Sequence, residues 1–146
     1  MRNHSEADHH STHDYLVMSD DIIRFADQFE LDKFTVMGHS MGGRTAMTLA
    51  ARYPDRVDGC ISVDAAPVNE NDNFKFGSFA ESVLKFMVEM GQKEGMTGKI
   101  AVENAKEFFA GKPQFVALVQ RSIVIGKGHG YDDPIKYAVN IETLLD

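Results

Sequence analysis

The chain has 146 residues, 43% hydrophobic and 25% charged, with a formal net charge of −7 and a single cysteine. The length suits one domain, and the composition is that of an ordinary soluble globular chain and excludes a disordered one. The acidic balance argues against nucleic acid or anionic membrane as a partner, no apolar run is long enough to span a bilayer, and the lone Cys60 excludes an internal disulfide and fits a reducing, intracellular compartment.

Met1 to His13 is polar and irregular, with four histidines, and resembles neither a signal peptide nor a transit peptide. Its histidines read as solvated loop, and His9, His10 and His13 lack the spacing and acidic partners of a metal site. Ser11 and Asp14 have capping-box spacing. An amphipathic helix follows, with Tyr15, Met18, Ile22, Ala26 and Phe29 as its apolar stripe. Leu31-Asp32-Lys33 leads to a short strand, Phe34–Met37. A small-residue helix runs from Gly43 and stops at Tyr53-Pro54, where proline cannot continue it. A second strand, Val57 to Val63, ends at Asp64, and Cys60 within it reads as a buried, inert thiol. This alternation implies a parallel sheet with helices on its faces.

Between the first strand and its helix stands Gly38-His39-Ser40-Met41-Gly42, a G-x-S-x-G pentapeptide. The bare pattern arises by chance in roughly one chain in twenty of this length, so its context carries the weight. A strand before and a helix after are what a nucleophile elbow requires. The serine backbone is strained there and its Oγ stands above the sheet edge. The flanking glycines are expected where a Cβ would collide with strand or helix. The rival reading, a glycine-rich turn around a phosphate, lacks both G-x-G-x-x-G and the Walker pattern.

After Pro67 the character changes. Asn69 to Asn73 is a polar link, and helices are predicted at Ser78–Met90, Lys99–Ala110 and Pro113–Arg121, with Pro113 suited to a first turn. Their Phe and Met stripes read as core packing, or as the lining of an acyl pocket under a helical cap. Gly126 to Gly130 is a glycine-rich turn, and Ile141 to Asp146 reads as the first turns of a helix.

Taken together, these segments give the chain a resemblance to the α/β-hydrolase superfamily, closest to esterases of the alpha/beta hydrolase domain-containing protein 11 type. Arg2-Asn3-His4 with His9 resembles the family's R-N-H-G-x-S-x-H. Tyr15, Met18 and Asp21 resemble Y-x-x-M-x-x-D, and Gly38 to Met47 is similar to G-H-S-M-G-G-K-T-A-M. Ser62 to Val68 resembles the stretch after the sixth strand. Tyr137-Ala138-Val139-Asn140 is a looser match to the cap's W-R-V-N. Ser5, Ala7 and Arg44 depart from the pattern. The resemblance implies a partial α/β-hydrolase core with the elbow over residues 1–68 and a helical cap region over 69–146. It also implies that this chain matches the middle of such an enzyme, without the segments carrying the catalytic histidine and one oxyanion amide.

Roles follow from motif and resemblance. Ser40 is the candidate nucleophile, needing a general base. The Met41 N–H, one residue on, is the candidate oxyanion donor. Asp64 is the candidate acid by resemblance, or else a strand-terminating turn residue; Glu142 is a rival acid through the cap match. His39 lies within the elbow and is not a convincing base. His129 imitates the glycine-flanked histidine of hydrolases and follows Ser and Asp in order, but no strand pair carries it to the sheet. The resemblance implies a serine esterase acting on a small acyl-ester or lipid-like substrate, with no cofactor or metal, a role in lipid metabolism and a mitochondrial or cytoplasmic location. The alternative is a chain without catalysis, serving as a truncated product or interaction module.

Overall fold

In a computed structural model the chain is described over residues 1–67, 76–126 and 128–145, with backbone alone for 76–79. It divides into two compact units, one of Met1–Arg2 with Ser11–Asn73, the other of Asn3–His10 with Phe74–Asp146. The expected boundary at residue 68 and the link Asn69 to Asn73 lie outside the described residues.

The first unit contains α1 (Tyr15–Gln28), β1 (Phe34–His39), α2 (Met41–Arg52) and β2 (Val57–Val63). Asp14, extended at φ −132°, caps α1 by accepting from the Val17 amide at 2.8 Å. Ser11 lies too early to do this, so the cap is one aspartate and not a box begun at Ser11. Met18 and Ala26 of the expected stripe are buried, but Phe29 is exposed and stacks on Phe25 with ring centroids 4.6 Å apart. The helix ends at Gln28 and Glu30 takes φ 54°, turning the chain before the stripe is complete.

β1 and β2 form a parallel pair, with Gly38 opposite Ser62 and His39 opposite Val63. α2 packs on both strands and α1 packs on α2. Met18, Ala46 and Leu49 form the apolar centre, and truncating Leu49 to alanine should cost about 2–5 kcal/mol. Polar bonds lock the two helices together. Arg52 Nη1 donates to Ser19 Oγ (2.6 Å), Asp20 Oδ1 (2.7 Å) and the Leu16 carbonyl (2.7 Å), and Tyr53 OH donates to Asp20 Oδ1. These bonds hold the Asp20 carboxyl below its usual range. The buried Arg2 guanidinium grips Asp21 through two bonds of 2.6 and 2.8 Å, and Asp21 is likewise depressed.

The helices cover one side of the strands. On β1, Thr35, Met37 and His39 alternate as exposed residues, and on β2 Cys60, Ile61 and Val63 are exposed. Met37 is 70% exposed. The expectation of a buried thiol therefore fails: Cys60 is exposed. Ile61 and Val63 lie on the uncovered face with their register partners Met37 and His39, whereas Cys60 points to the opposite face with its partner Val36 and is exposed there as well.

The second unit contains α3 (Phe76–Gln92), α4 (Gly98–Phe108), α5 (Pro113–Ser122) and the short α6 (Ile141–Leu145). The three longer helices fall where the periodicity predicts them, with ends shifted by one or two residues. Thr97 caps α4 by accepting from the Ile100 amide, and Pro113 stands in the first turn of α5. Phe86, Met87, Met90, Met96 and Phe109 are buried in one core with Val83, Ala101, Ala105, Val119 and Ile123, whereas Phe108 is 65% exposed. Most of the Phe and Met stripe is thus core. The segment Asn3–His10 packs here too. Asn3 is fully buried, its Oδ1 accepting from the His10 amide at 2.7 Å, and its carbonyl accepts from the Asn140 amide at 2.9 Å. Burial raises the Tyr137 phenol well above its ordinary value.

Candidate active site

The pentapeptide joins β1 to α2 with no linker. Ser40 takes φ 53° and ψ −118°, a conformation that a residue with a Cβ holds only when its surroundings enforce it. The enforcement is visible. The Ser40 amide donates to the Val63 carbonyl of β2 at 3.0 Å, and the Ser40 carbonyl accepts from the amides of Gly43 (3.0 Å) and Arg44 (3.2 Å). The hydroxyl does not cap α2.

Two glycines explain the tight turn, and they are not the pair expected. A Cβ on Gly38 would stand 2.1 Å from the Gly42 carbonyl oxygen, so position 38 admits glycine alone. A Cβ on Gly42 would meet nothing within 4 Å, whereas one on Gly43 would stand 2.8 Å from Ser62 Oγ and 2.9 Å from the Ala65 Cβ. The steric demand thus falls on the residue after the pentapeptide, because Gly43 faces β2 and Gly42 faces away from it.

Met41 is the first residue of α2, where the amide has no acceptor inside the helix. That leaves its N–H available at the positive end of the helix dipole. Thr45 Oγ1 donates to the Met41 carbonyl at 3.0 Å, and His13 Nε2 lies 3.4 Å from Met41 Sδ. His13 is therefore partly buried against the elbow and is not the solvated loop residue expected; sequence spacing gave no signal, because the contact joins residues 28 apart.

Asp64 follows β2 at φ 52°, also in the left-handed region. Ser40 and Asp64 thus stand at the carboxyl ends of adjacent parallel strands, where open α/β sheets place their ligands. The Asp64 side chain is 88% exposed, and its Oδ2 lies 3.7 Å from His39 Nε2. This places His39, unconvincing as a base from its position within the elbow, beside the candidate acid.

The other candidates belong to the second unit. Glu142 is exposed in the first turn of α6. His129 closes a tight turn with Gly126, the Gly126 amide donating to the His129 carbonyl at 2.7 Å and the His129 amide donating back at 3.1 Å. Its Nε2 is buried without a hydrogen-bond partner among the described residues.

Comparison with known proteins bears on the family and the fold. The family described as "alpha/beta hydrolase fold" matches residues 1–106. The chain is 39% identical over 69 residues to "Esterase YbfF" of Escherichia coli, covering 47% of this chain and 27% of that protein. It is 32% identical over 114 residues to a "Probable alcohol acetyltransferase" of Saccharomyces cerevisiae, covering 76% and 33%. It is 38% identical over 78 residues to mouse "sn-1-specific diacylglycerol lipase ABHD11", covering 53% and 25%. Among solved structures, a "Marine microorganism esterase" superposes with a TM-score of 0.77 at 26% identity, over 98% of this chain and 53% of that one. The chain thus spans about a third or less of these curated relatives and about half of the solved esterase. With a parallel pair flanked by helices, a strained serine between strand and helix, and a family match over residues 1–106, the chain belongs to the α/β-hydrolase fold family.

Proposed function

We propose that this chain carries the nucleophile, the acid and one oxyanion donor of a serine esterase acting on small acyl-ester or lipid-like substrates. The supporting observation is the Ser40 backbone: a strained serine, pinned by the Val63 carbonyl at the mouth of α2. In this reading Ser40 Oγ attacks the acyl carbonyl and passes its proton to an imidazole. The carbonyl oxygen becomes an oxyanion facing the Met41 N–H, the alcohol leaves with the proton, and an acyl-enzyme remains on Ser40. Water then takes the alcohol's place, releases the carboxylic acid and restores the serine. Asp64 orients the imidazole and offsets its charge.

In the unit that holds Ser40, His39 stands 3.7 Å from Asp64 and His13 lies 3.4 Å from Met41 Sδ. His129 is the remaining candidate base within the chain, and Glu142 is the alternative acid. A role in lipid metabolism and a mitochondrial or cytoplasmic location belong to the same reading and rest on resemblance.

The test is labelling with a fluorophosphonate probe alongside hydrolysis of a p-nitrophenyl ester. Probe should add at Ser40, and Ser40→Ala should lower turnover by about 10⁴–10⁶-fold where a base completes the triad. Labelling at another residue would refute the assignment. No labelling would favour the alternative, a chain without catalysis acting as an interaction module. One observation supports that alternative: the imidazole standing closest to Asp64 is His39, the residue before the nucleophile.

A second outcome for the acyl-enzyme is favoured by the yeast relative named as an alcohol acetyltransferase, which matches 76% of this chain. An alcohol in place of water would then take the acyl group. Adding ethanol to the assay and measuring ethyl ester against free acid separates the two.

A further inference from the structure

Ser62 lies outside the pentapeptide, in β2, two residues before Asp64 and opposite Gly38 in the sheet register. Its Oγ donates to the Ala65 carbonyl at 2.8 Å. The hydrogen bond spans Val63 and Asp64. The first of these gives its carbonyl to the Ser40 amide, and the second holds φ 52°. The same Oγ stands 2.8 Å from where a Cβ on Gly43 would be, so it lies against the first turn of the elbow helix. One hydroxyl therefore touches both the turn that carries Asp64 and the helix start that follows Ser40.

The Asp64 carboxylate has little else to fix it. It is 88% exposed, and its Oδ2 stands 3.7 Å from His39 Nε2. Its direction is consequently set by the backbone from which it projects. A left-handed backbone at an aspartate is uncommon and needs its neighbours to hold it. A serine hydroxyl bonded three residues ahead is a local device that can do so.

We propose that Ser62 is a positioning residue: through its bond to the Ala65 carbonyl and its seat against Gly43, it sets where Asp64 stands relative to the Ser40 elbow. This rests on reading Ser40 as nucleophile and Asp64 as acid. Ser62 touches no reacting atom. It acts by holding the acid and the nucleophile in one register, and small misplacements of catalytic groups are costly, on the order of 10²-fold for 1 Å.

The experiment compares the chain with Ser62→Ala and Ser62→Thr, by amide hydrogen exchange and by turnover of p-nitrophenyl acetate. In Ser62→Ala the amides of Ser40, Gly43 and Arg44 should exchange about tenfold faster, while those of Ala46 and Leu49 in the α2 core stay unchanged and report intact folding. The kcat should fall about 10- to 100-fold with KM held within twofold, and Ser62→Thr, which keeps the Oγ, should restore both. Unchanged exchange at the elbow overturns the proposal, as does faster exchange with unchanged kcat, or a threonine variant no better than alanine. Should Ser40→Ala retain turnover, the nucleophile assignment fails whatever Ser62 does. Should the unsubstituted chain show no turnover, exchange alone decides: faster in alanine and restored in threonine supports the proposal, unchanged overturns it.

Discussion

Replacing Gly42 and Gly43 separately by alanine should move stability in opposite directions, although the two are adjacent in one helix. Alanine is favoured over glycine inside a helix by about 0.8–1.0 kcal/mol. Near the first turn, about 0.5–1 kcal/mol of that is a fair expectation. At Gly42 a Cβ meets nothing within 4 Å, so this gain is unopposed. At Gly43 the Cβ meets Ser62 Oγ at 2.8 Å, the Ala65 Cβ at 2.9 Å and the Gly38 carbonyl oxygen at 3.0 Å. Ser62 Oγ can swing aside only by giving up its bond to the Ala65 carbonyl, and the Ala65 Cβ and Gly38 carbonyl oxygen are fixed to the backbone, so strand, turn or helix must shift, at about 1–3 kcal/mol for an overpacked site. The helix gain is common to both positions, so the net loss at Gly43 should be up to about 2 kcal/mol and the two variants should differ by the overpacking cost, about 1–3 kcal/mol. Urea unfolding followed by far-UV circular dichroism reads this as a higher midpoint for Gly42→Ala and a lower one for Gly43→Ala, each with an unchanged slope. Equal shifts of one sign would refute the argument that the crowding sits at Gly43.

The same geometry gives further expectations. Asp20 and Asp21 are depressed, chiefly by Tyr53 and Arg2 respectively, so their stabilisation is full above the ordinary carboxylate pKa near 4 and is lost as pH falls through their lowered values. Melting temperature should therefore drop steeply below about pH 4, and less so in Asp21→Asn, which starts lower at pH 7; a parallel pH profile in the variant would contradict this. Asp14→Ala should cost about 1 kcal/mol by removing the α1 cap, read by urea unfolding, whereas Ser11→Ala should be near neutral. Cys60 should react stoichiometrically with Ellman's reagent in the folded chain, and slow reaction would place it under cover. The apolar sheet face around Met37, Ile61 and Val63 should bind a hydrophobic dye or drive self-association, so a clean monomer that binds no dye would count against its exposure.

The sequence alone decided the local elements. Helical spacing fixed α3, α4 and α5 to within a residue or two, because amphipathic period and end signals such as Pro113 act over a few neighbours. The strand, turn and helix around Ser40 were legible for the same reason: the small residues and their order demand a tight turn. Sequence could not decide which glycine is crowded, since that depends on whether position 42 or 43 faces β2. Nor could it see the long-range partners: the Val63 carbonyl on the Ser40 amide, His13 against Met41, His39 beside Asp64, and Ser62 between Asp64 and Gly43. Those contacts exist only once two strands lie in register. The exposure of Cys60 and Phe29 makes the same point from the other side, because an apolar residue is buried only where another element arrives to cover it, and that arrival is a property of the tertiary structure.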